Sequence, residues 1–279
     1  VVRSYLRFPH LSGDTLVFVA EDDVWTAPLA GGRATRLTAD GVPVKNPRFS
    51  PDGSLVAWTS AKDGAPEVRV ADADGGAARR VTFWGDLRTR LAGWTPDGRV
   101  VATSATREHT FANTWAYAVP ALGGRPHRLP YGPVSAVSYA GSGVLVGRTM
   151  ARDMAWWKRY RGGTAGKIWW DPEGAGEFTR ILTELDGQLD APMLVAQGDG
   201  ATRIAFLSDH EGWGNVYSVD LAGNGLRRHT DHGATVEFYA RHASTDGERI
   251  VYESAGELYL LESLDAEPQR LDVRLAGPR

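Results

Sequence analysis

Six times along the chain an arginine opens the same short strand end: Arg36-Leu37-Thr38, Arg80-Val81-Thr82, Arg128-Leu129-Pro130, Arg180-Ile181-Leu182, Arg228-His229-Thr230 and Arg270-Leu271-Asp272. Successive arginines stand 44, 48, 52, 48 and 42 residues apart. Upstream of each lies another strand-like run, at residues 24–29, 68–72, 115–119, 168–171, 216–220 and 258–261. Most of these runs pass into glycine turns such as Gly31-Gly32, Gly75-Gly76 and Gly123-Gly124. Four short strands at this period are the repeat of a propeller blade, and six copies make six blades.

The first half of a blade is written most clearly at residues 46–60, NPRFSPDGSLVAWTS. Asp52-Gly53 between two apolar runs signals a hairpin, because glycine takes positive φ without a Cβ clash. The pattern returns as LAGWTPDGRVVATS at 91–104 and, worn, as ARHASTDGERIVYES at 240–254. No apolar stripe of helical period runs for three turns, so alternation between turns carries the structure. The expected fold is all-β: a six-bladed β-propeller with four antiparallel strands per blade over residues 5–272. Its blades fall near 5–38, 43–82, 88–130, 133–182, 189–230 and 234–272, with a tail or linker at 273–279. A β-sandwich would not explain the six-fold strand end. The first unit opens with its own inner strand and the last closes with its own outer one, which predicts an open seam without strand exchange. Side-chain packing would hold that seam, and the tail retains the option of adding a strand.

Composition narrows the function classes. Thirty-three glycines and ten tryptophans suit short antiparallel strands packed face to face. A net charge of −3 argues against a generic polyanion binder. The absence of cysteine removes disulfide and thiol chemistry. No run of 18 apolar residues is present, so no partner membrane is expected.

The motifs point to binding rather than chemistry. The chain holds no G-x-S-x-G elbow. His229 and His232 form HTDH, which invites a metal, but His229 occupies the apolar slot of the repeated strand end and a further ligand set is missing. Asp72 and Asp74 precede Gly75 without the closing glutamate of a calcium loop, so turn chemistry explains them. Neither a metal nor a cofactor is expected. The six repeated arginines read as solvated edge charges that deter sheet association. The most individual text is the enlarged loop 150–167, MARDMAWWKRYRGGTAGK, with five basic residues and one acid. Interleaved basic and aromatic groups suit single-stranded nucleic acid; the negative net charge and the lack of a second basic stripe argue against that partner. Two readings remain, packing onto the chain's own propeller or an interface with a neighbouring domain or subunit.

The string WKRYRGGTAGKIWWD at 157–171 resembles the corresponding blade of the tricorn protease family. So do DDVW at 22–25, NPRFSPDG at 46–53 and SDHEGWGNVYSVDLAGNGLRRHT at 208–230, although TolB and dipeptidyl-peptidase propellers share the skeleton of the last. The resemblance covers the whole chain and maps it to that family's N-terminal six-bladed propeller. It implies a large cytoplasmic serine peptidase that assembles as a hexamer and shortens peptides released by the proteasome. Its chain would continue into a seven-bladed propeller, a PDZ domain and two catalytic domains that hold all the catalytic residues. The segment itself would then be a non-catalytic channel or gate whose partners are peptides and the remaining domains and subunits. The same resemblance implies an arginine pair that anchors peptide C-termini, located between blades two and three. Here that place reads TFWGDLRTRLAGW, 82–94, with alternating Arg88 and Arg90 in place of an adjacent pair. Strand-like spacing would turn both to one face, and a guanidinium fork matches a carboxylate at any working pH. Solvated loop arginines are the plain alternative. By the same resemblance Trp157, Lys158, Arg159, Tyr160 and Arg161 are the candidate interface. Two other functions stay open: a TolB-like interaction scaffold, and a metal-dependent propeller hydrolase, for which the inner strands offer few ligands.

Overall fold

The computed structural model describes residues 5–110, 112–148, 156, 158–198, 200–233 and 238–275. Regular structure among them is entirely strand. The first sheet contains β1 (Arg7–Ser12), β2 (Thr15–Ala20), β3 (Asp23–Pro28) and β4 (Gly32–Arg36); the second contains β5 (Val44–Phe49), β6 (Leu55–Ser60), β7 (Glu67–Asp72) and β8 (Arg79–Arg80). The third runs through β9 (Arg90–Trp94), β10 (Val100–Ser104), β11 (Trp115–Val119) and β12 (His127–Pro133), the fourth through β13 (Ala136–Ala140), β14 (Gly143–Arg148), β15 (Lys167–Asp171) and β16 (Thr179–Ile181). The fifth takes β17 (Leu189–Ala196), β18 (Thr202–Ser208), β19 (Asn215–Val219) and β20 (Arg227–Arg228), the sixth β21 (Arg241–Thr245), β22 (Ile250–Ser254), β23 (Glu257–Leu261) and β24 (Gln269–Arg270). Each sheet is a meander of consecutive strands, which is a six-bladed β-propeller of four-stranded blades.

Two compact units divide the chain, one comprising residues up to 129 with 256–258 and 270 onward, the other 130–255 with 259–269. In the first, Val17, Val19, Phe49, Val56 and Trp58 form one buried cluster, and Val68, Val70, Leu91, Val100 and Val119 another. In the second, Leu145, Ile168, Leu194, Phe206 and Tyr217 pack together, as do Met193, Leu207, Val216, Ile250 and Tyr252. Burying each such side chain contributes about 1.5–3 kcal/mol. The middle strands, buried on both faces, therefore read as near-continuous apolar runs.

Among the described residues each blade draws its four strands from its own stretch of chain. The seam is nonetheless tied by main chain as well as side chains. The Leu6 N–H donates to the Gly256 carbonyl at 2.9 Å, and the Gly32 N–H donates to that of Asp272 at 2.7 Å. The tail supplies β25 (Val273–Leu275), which pairs in parallel with β4 and covers its open edge. Glycine is required at position 31, where φ is +86° and a Cβ would lie 2.8 Å from the Asp272 carbonyl oxygen.

The repeated strand-end arginines correct one expectation, because most of them are not simply solvated. Arg36 pairs with Glu21 and Asp23 at 3.5 Å each, and Arg80 with Asp63 at 3.3 Å and Glu67 at 3.0 Å. Arg128 meets Glu108 at 3.1 Å, Arg228 meets Glu211 at 3.1 Å, and Arg270 meets Glu257 at 2.6 Å. Arg128 also lies 3.5 Å over the Trp115 ring. The acids come from the hairpin before the third strand or from that strand's first residue. Each arginine thus staples the fourth strand to the third. Exposed pairs of this kind are individually worth under about 1 kcal/mol.

Candidate functional site

The inner strands share an irregularity that positions their side chains. β1, β5, β17 and β21 each shift register against the second strand, and Phe8, Asn46, Ala191 and His242 in them take φ between 47° and 52°. A bulge of this kind re-aims the residues around it. In β5 it lies between Lys45 and Arg48, and β9 is bulged between Leu91 and Gly93.

The segment between β8 and β9 carries Arg88 and is held rigidly by two carboxylates. Buried Glu67, at the start of β7, accepts the Thr82 hydroxyl and the N–H groups of Trp84 at 2.7 Å and Gly85 at 2.8 Å. Asp86 then accepts the Ala105 N–H at 2.6 Å, the Ser104 hydroxyl, and the Arg88 N–H at 3.1 Å. Phe83, under the Arg80 guanidinium at 4.5 Å, and Leu87 stand exposed on the same segment.

Arg88 is exposed and lies in a turn closed by the Thr89 N–H on the Asp86 carbonyl at 3.0 Å. Strand alternation therefore does not set its direction. Arg90 is the first residue of β9, half-buried and opposite Thr103 of β10. What the structure brings to Arg90 is Arg48 of β5. The two inner strands are tied by Asn46 Nδ2 on the Leu91 carbonyl at 3.3 Å and by Trp94 Nε1 on the Arg48 carbonyl at 3.1 Å. Arg48 is half-buried. That burial and the positive charge of Arg90 lower its pKa to about 10, which leaves it charged near neutrality. Sequence reading missed Arg48 by taking NPRF only as hairpin text; the signal available was a cation on an inner strand.

The described part of the enlarged loop folds back on the fifth blade. Asp209, fully buried after β18, accepts the Arg159 N–H at 2.8 Å, Arg161 Nη1 at 3.0 Å and the Gln188 N–H at 3.2 Å. Arg159 Nε donates to the Gly212 carbonyl at 3.1 Å, and Arg161 Nη2 to that of Asp209 at 3.0 Å. Lys158 Nζ stands 5.4 Å over the Tyr239 ring, and the Tyr160 hydroxyl accepts from Thr164 at 2.9 Å. Both arginines are thus engaged by their own chain, while Lys158 and Trp156 are exposed. Trp157 lies outside the described residues, as do residues 149–155.

The HTDH histidines are built into packing. His229 is hydrogen-bonded at Nδ1 to the Leu264 carbonyl (2.6 Å) and at Nε2 to Ser218 (2.7 Å). His232 meets the Tyr252 hydroxyl at 2.9 Å, edge-on to the stacked rings of Tyr252 and Tyr259.

A family model for the tricorn protease N-terminal beta propeller domain matches residues 3–267. Tricorn protease homolog 1 of Streptomyces coelicolor is 57% identical over 277 residues, covering 99% of this chain and 25% of that protein. A tricorn protease homolog of Saccharolobus solfataricus is 35% identical over 283 residues, covering 100% of this chain and 25% of the relative. The crystal structure of the tricorn protease aligns with a TM-score of 0.88 at 28% identity, over 100% of this chain and 27% of that one. The chain thus spans about a quarter of the length of the curated relatives it matches.

Proposed function

We propose, for a chain that belongs to the family of tricorn protease N-terminal β-propellers, an accessory role in a tricorn-like serine peptidase. The propeller channels or gates peptides and offers cationic groups to their C-termini. Hydrolysis is the task of catalytic domains outside this segment. Within a cytoplasmic assembly, hexameric like the family's, Lys158 and Tyr160 contribute to a contact with a neighbouring domain or subunit. Arg159 and Arg161 fix the shape of that surface by their bonds to the fifth blade.

The observation that carries the anchoring role is that Arg88 and Arg90 directly follow a segment pinned by Glu67 and Asp86. A pre-ordered cation loses little freedom on binding, so its fork is available to a carboxylate at low entropic cost. Fluorescence anisotropy of a labelled tetrapeptide, as free acid and as amide, tests the role. The acid is expected to bind with Kd around 1 mM, about 4 kcal/mol, more tightly than the amide. The double substitution Arg88→Ala/Arg90→Ala is expected to erase the difference. Equal binding of acid and amide by the parent chain would return both arginines to plain loop residues.

A further inference from the structure

We propose that Lys167 and Arg180 of the fourth blade form a docking point for the side-chain carboxylates of an acidic polypeptide segment, carried by a neighbouring domain or subunit. The inference rests on the interface reading of the loop before β15 and adds the chemistry of what seats there.

Three observations converge. First, the blades share a rule that the fourth reverses. Asp23, Glu67 and Glu257 open the third strands of the first, second and sixth blades, and each pairs with the strand-end arginine 13 residues later, at 3.5, 3.0 and 2.6 Å. In the third and fifth blades that place holds Trp115 and Asn215. There Glu108 and Glu211, from the connection before the strand, pair with Arg128 and Arg228 at 3.1 Å each. In the fourth blade the place holds a cation, Lys167, 13 residues before Arg180.

Second, no described acid takes over. Among the described residues no carboxylate forms an ion pair with Arg180, and its Nε is buried without a hydrogen-bond partner. Asp171 lies on the same face of β15 as Lys167, but its carboxylate accepts the N–H groups of Glu173, Gly174 and Gly176. Exposed Asp186 lies against Arg161 at 3.9 Å.

Third, the strands hold the two cations next to each other. Arg180 stands opposite Trp169 and so diagonal to Lys167, the placement that brings Glu67 to Arg80 across β7 and β8. Arg148 stands directly opposite Lys167 and is itself engaged. It donates Nη2 to the Tyr131 carbonyl at 2.9 Å and lies over the Trp169 and Phe178 rings at 4.5 and 5.1 Å. Like charges directly opposite in a sheet repel. Burial and then Arg180 lower the Lys167 pKa, Arg161 adds to this, and Asp186 pushes the other way. An incoming carboxylate relieves that repulsion, and it is the group that the other blades place against the same arginine.

The test combines thermal unfolding of the ligand-free 279-residue chain with fluorescence anisotropy of short labelled peptides of alternating glycine and glutamate, or glycine and glutamine. Both peptides are acetylated and amidated, so neither carries a terminal carboxylate. The parent is expected to prefer the glutamate peptide by about tenfold. Lys167→Glu rebuilds the acid of the other blades and gives Arg180 a partner in its own chain. It is expected to bring the preference within about twofold and to raise the ligand-free melting temperature by about 1–2 °C. Arg180→Gln loses about threefold or more of the preference without that rise. A Lys167→Glu chain that keeps the preference, while Lys158→Gln loses it, overturns this inference and leaves the interface reading standing. A parent that binds both peptides alike overturns it as well, without touching an interface that needs no acidic partner. So does a parent that inorganic phosphate stabilises against heat while the glutamate peptide fails to bind. If Lys167→Glu fails to fold, Arg180→Gln decides: a weakened preference in a folded chain supports the site, and an unchanged one contradicts it.

Discussion

Replacing Asp209 by alanine is expected to destabilise the chain by about 3 kcal/mol and to release the loop that precedes β15. The carboxylate is fully buried and accepts the N–H groups of Arg159 and Gln188 together with the Arg161 guanidinium. Each stranded backbone donor costs about 1–3 kcal/mol when it loses its partner in a site water does not fill. The ion pair adds less than a fully buried one would, because the Arg161 side chain is 29% exposed and rehydrates when freed. Asp209→Asn keeps an acceptor of the same size and is expected to cost about half as much. Urea unfolding measures the stability. Limited trypsin digestion reports the loop, since Lys158, Arg159 and Arg161 become cleavable once Gly212 and Asp209 no longer hold it. A chain with parental stability and an uncut loop would show that the loop is held by other means.

Acidification from pH 7 to pH 4 is expected to remove about 3 kcal/mol of stability through His232 alone. Burial between Tyr252 and Tyr259 lowers its pKa from 6.5 to about 4, against a smaller upward push from Asp231. The unfolded chain therefore binds a proton below pH 6.5 that the folded chain refuses until about pH 4. Stability is fully present above the unfolded value and falls as the pH drops through that window, by about 1.4 kcal/mol per unit. His210 and His229 are lowered too, chiefly by burial, and act in the same direction. Glu211 and Asp52, whose carboxyls are lowered chiefly by hydrogen bonds from Tyr217 and Ser50, contribute only below their unfolded values of 4.5 and 3.8. Urea unfolding between pH 7 and pH 4.5 thus isolates the imidazoles. The slope should flatten in His232→Gln, and an unchanged slope would place the titration elsewhere.

The blade count was legible because one strand end recurs at the period of a blade, and a six-fold coincidence does not arise from a sandwich. The partners of those arginines were not. The hairpin acids Glu21, Asp63, Glu108 and Glu211 lie in loops of unequal length and share no single offset from their arginines, whereas Asp23, Glu67 and Glu257 each stand 13 residues before theirs, a regularity that the repeat could have shown. The seam was read correctly as lacking strand exchange, whereas the Leu6–Gly256 and Gly32–Asp272 hydrogen bonds join residues some 240–250 positions apart. Such closeness follows from the ring order of blades, not from any local pattern. The candidate site was half legible. Arg90 could be placed by its position between blades two and three, but its neighbour Arg48 is set by a bulge at Asn46, which only register reveals. The acceptor of Arg159 and Arg161, Asp209, was not legible, because it is about 50 residues away in the chain and looks like an ordinary turn residue.

The most direct measurement of the central claim is a crystal structure of the chain with a tetrapeptide carrying a free C-terminus. The account predicts the terminal carboxylate within hydrogen-bond reach of Arg88 and Arg90, with the Asp86-capped turn unmoved. A peptide whose carboxylate lies away from β9 and the turn before it, for example against Lys158 and Tyr239, would contradict it.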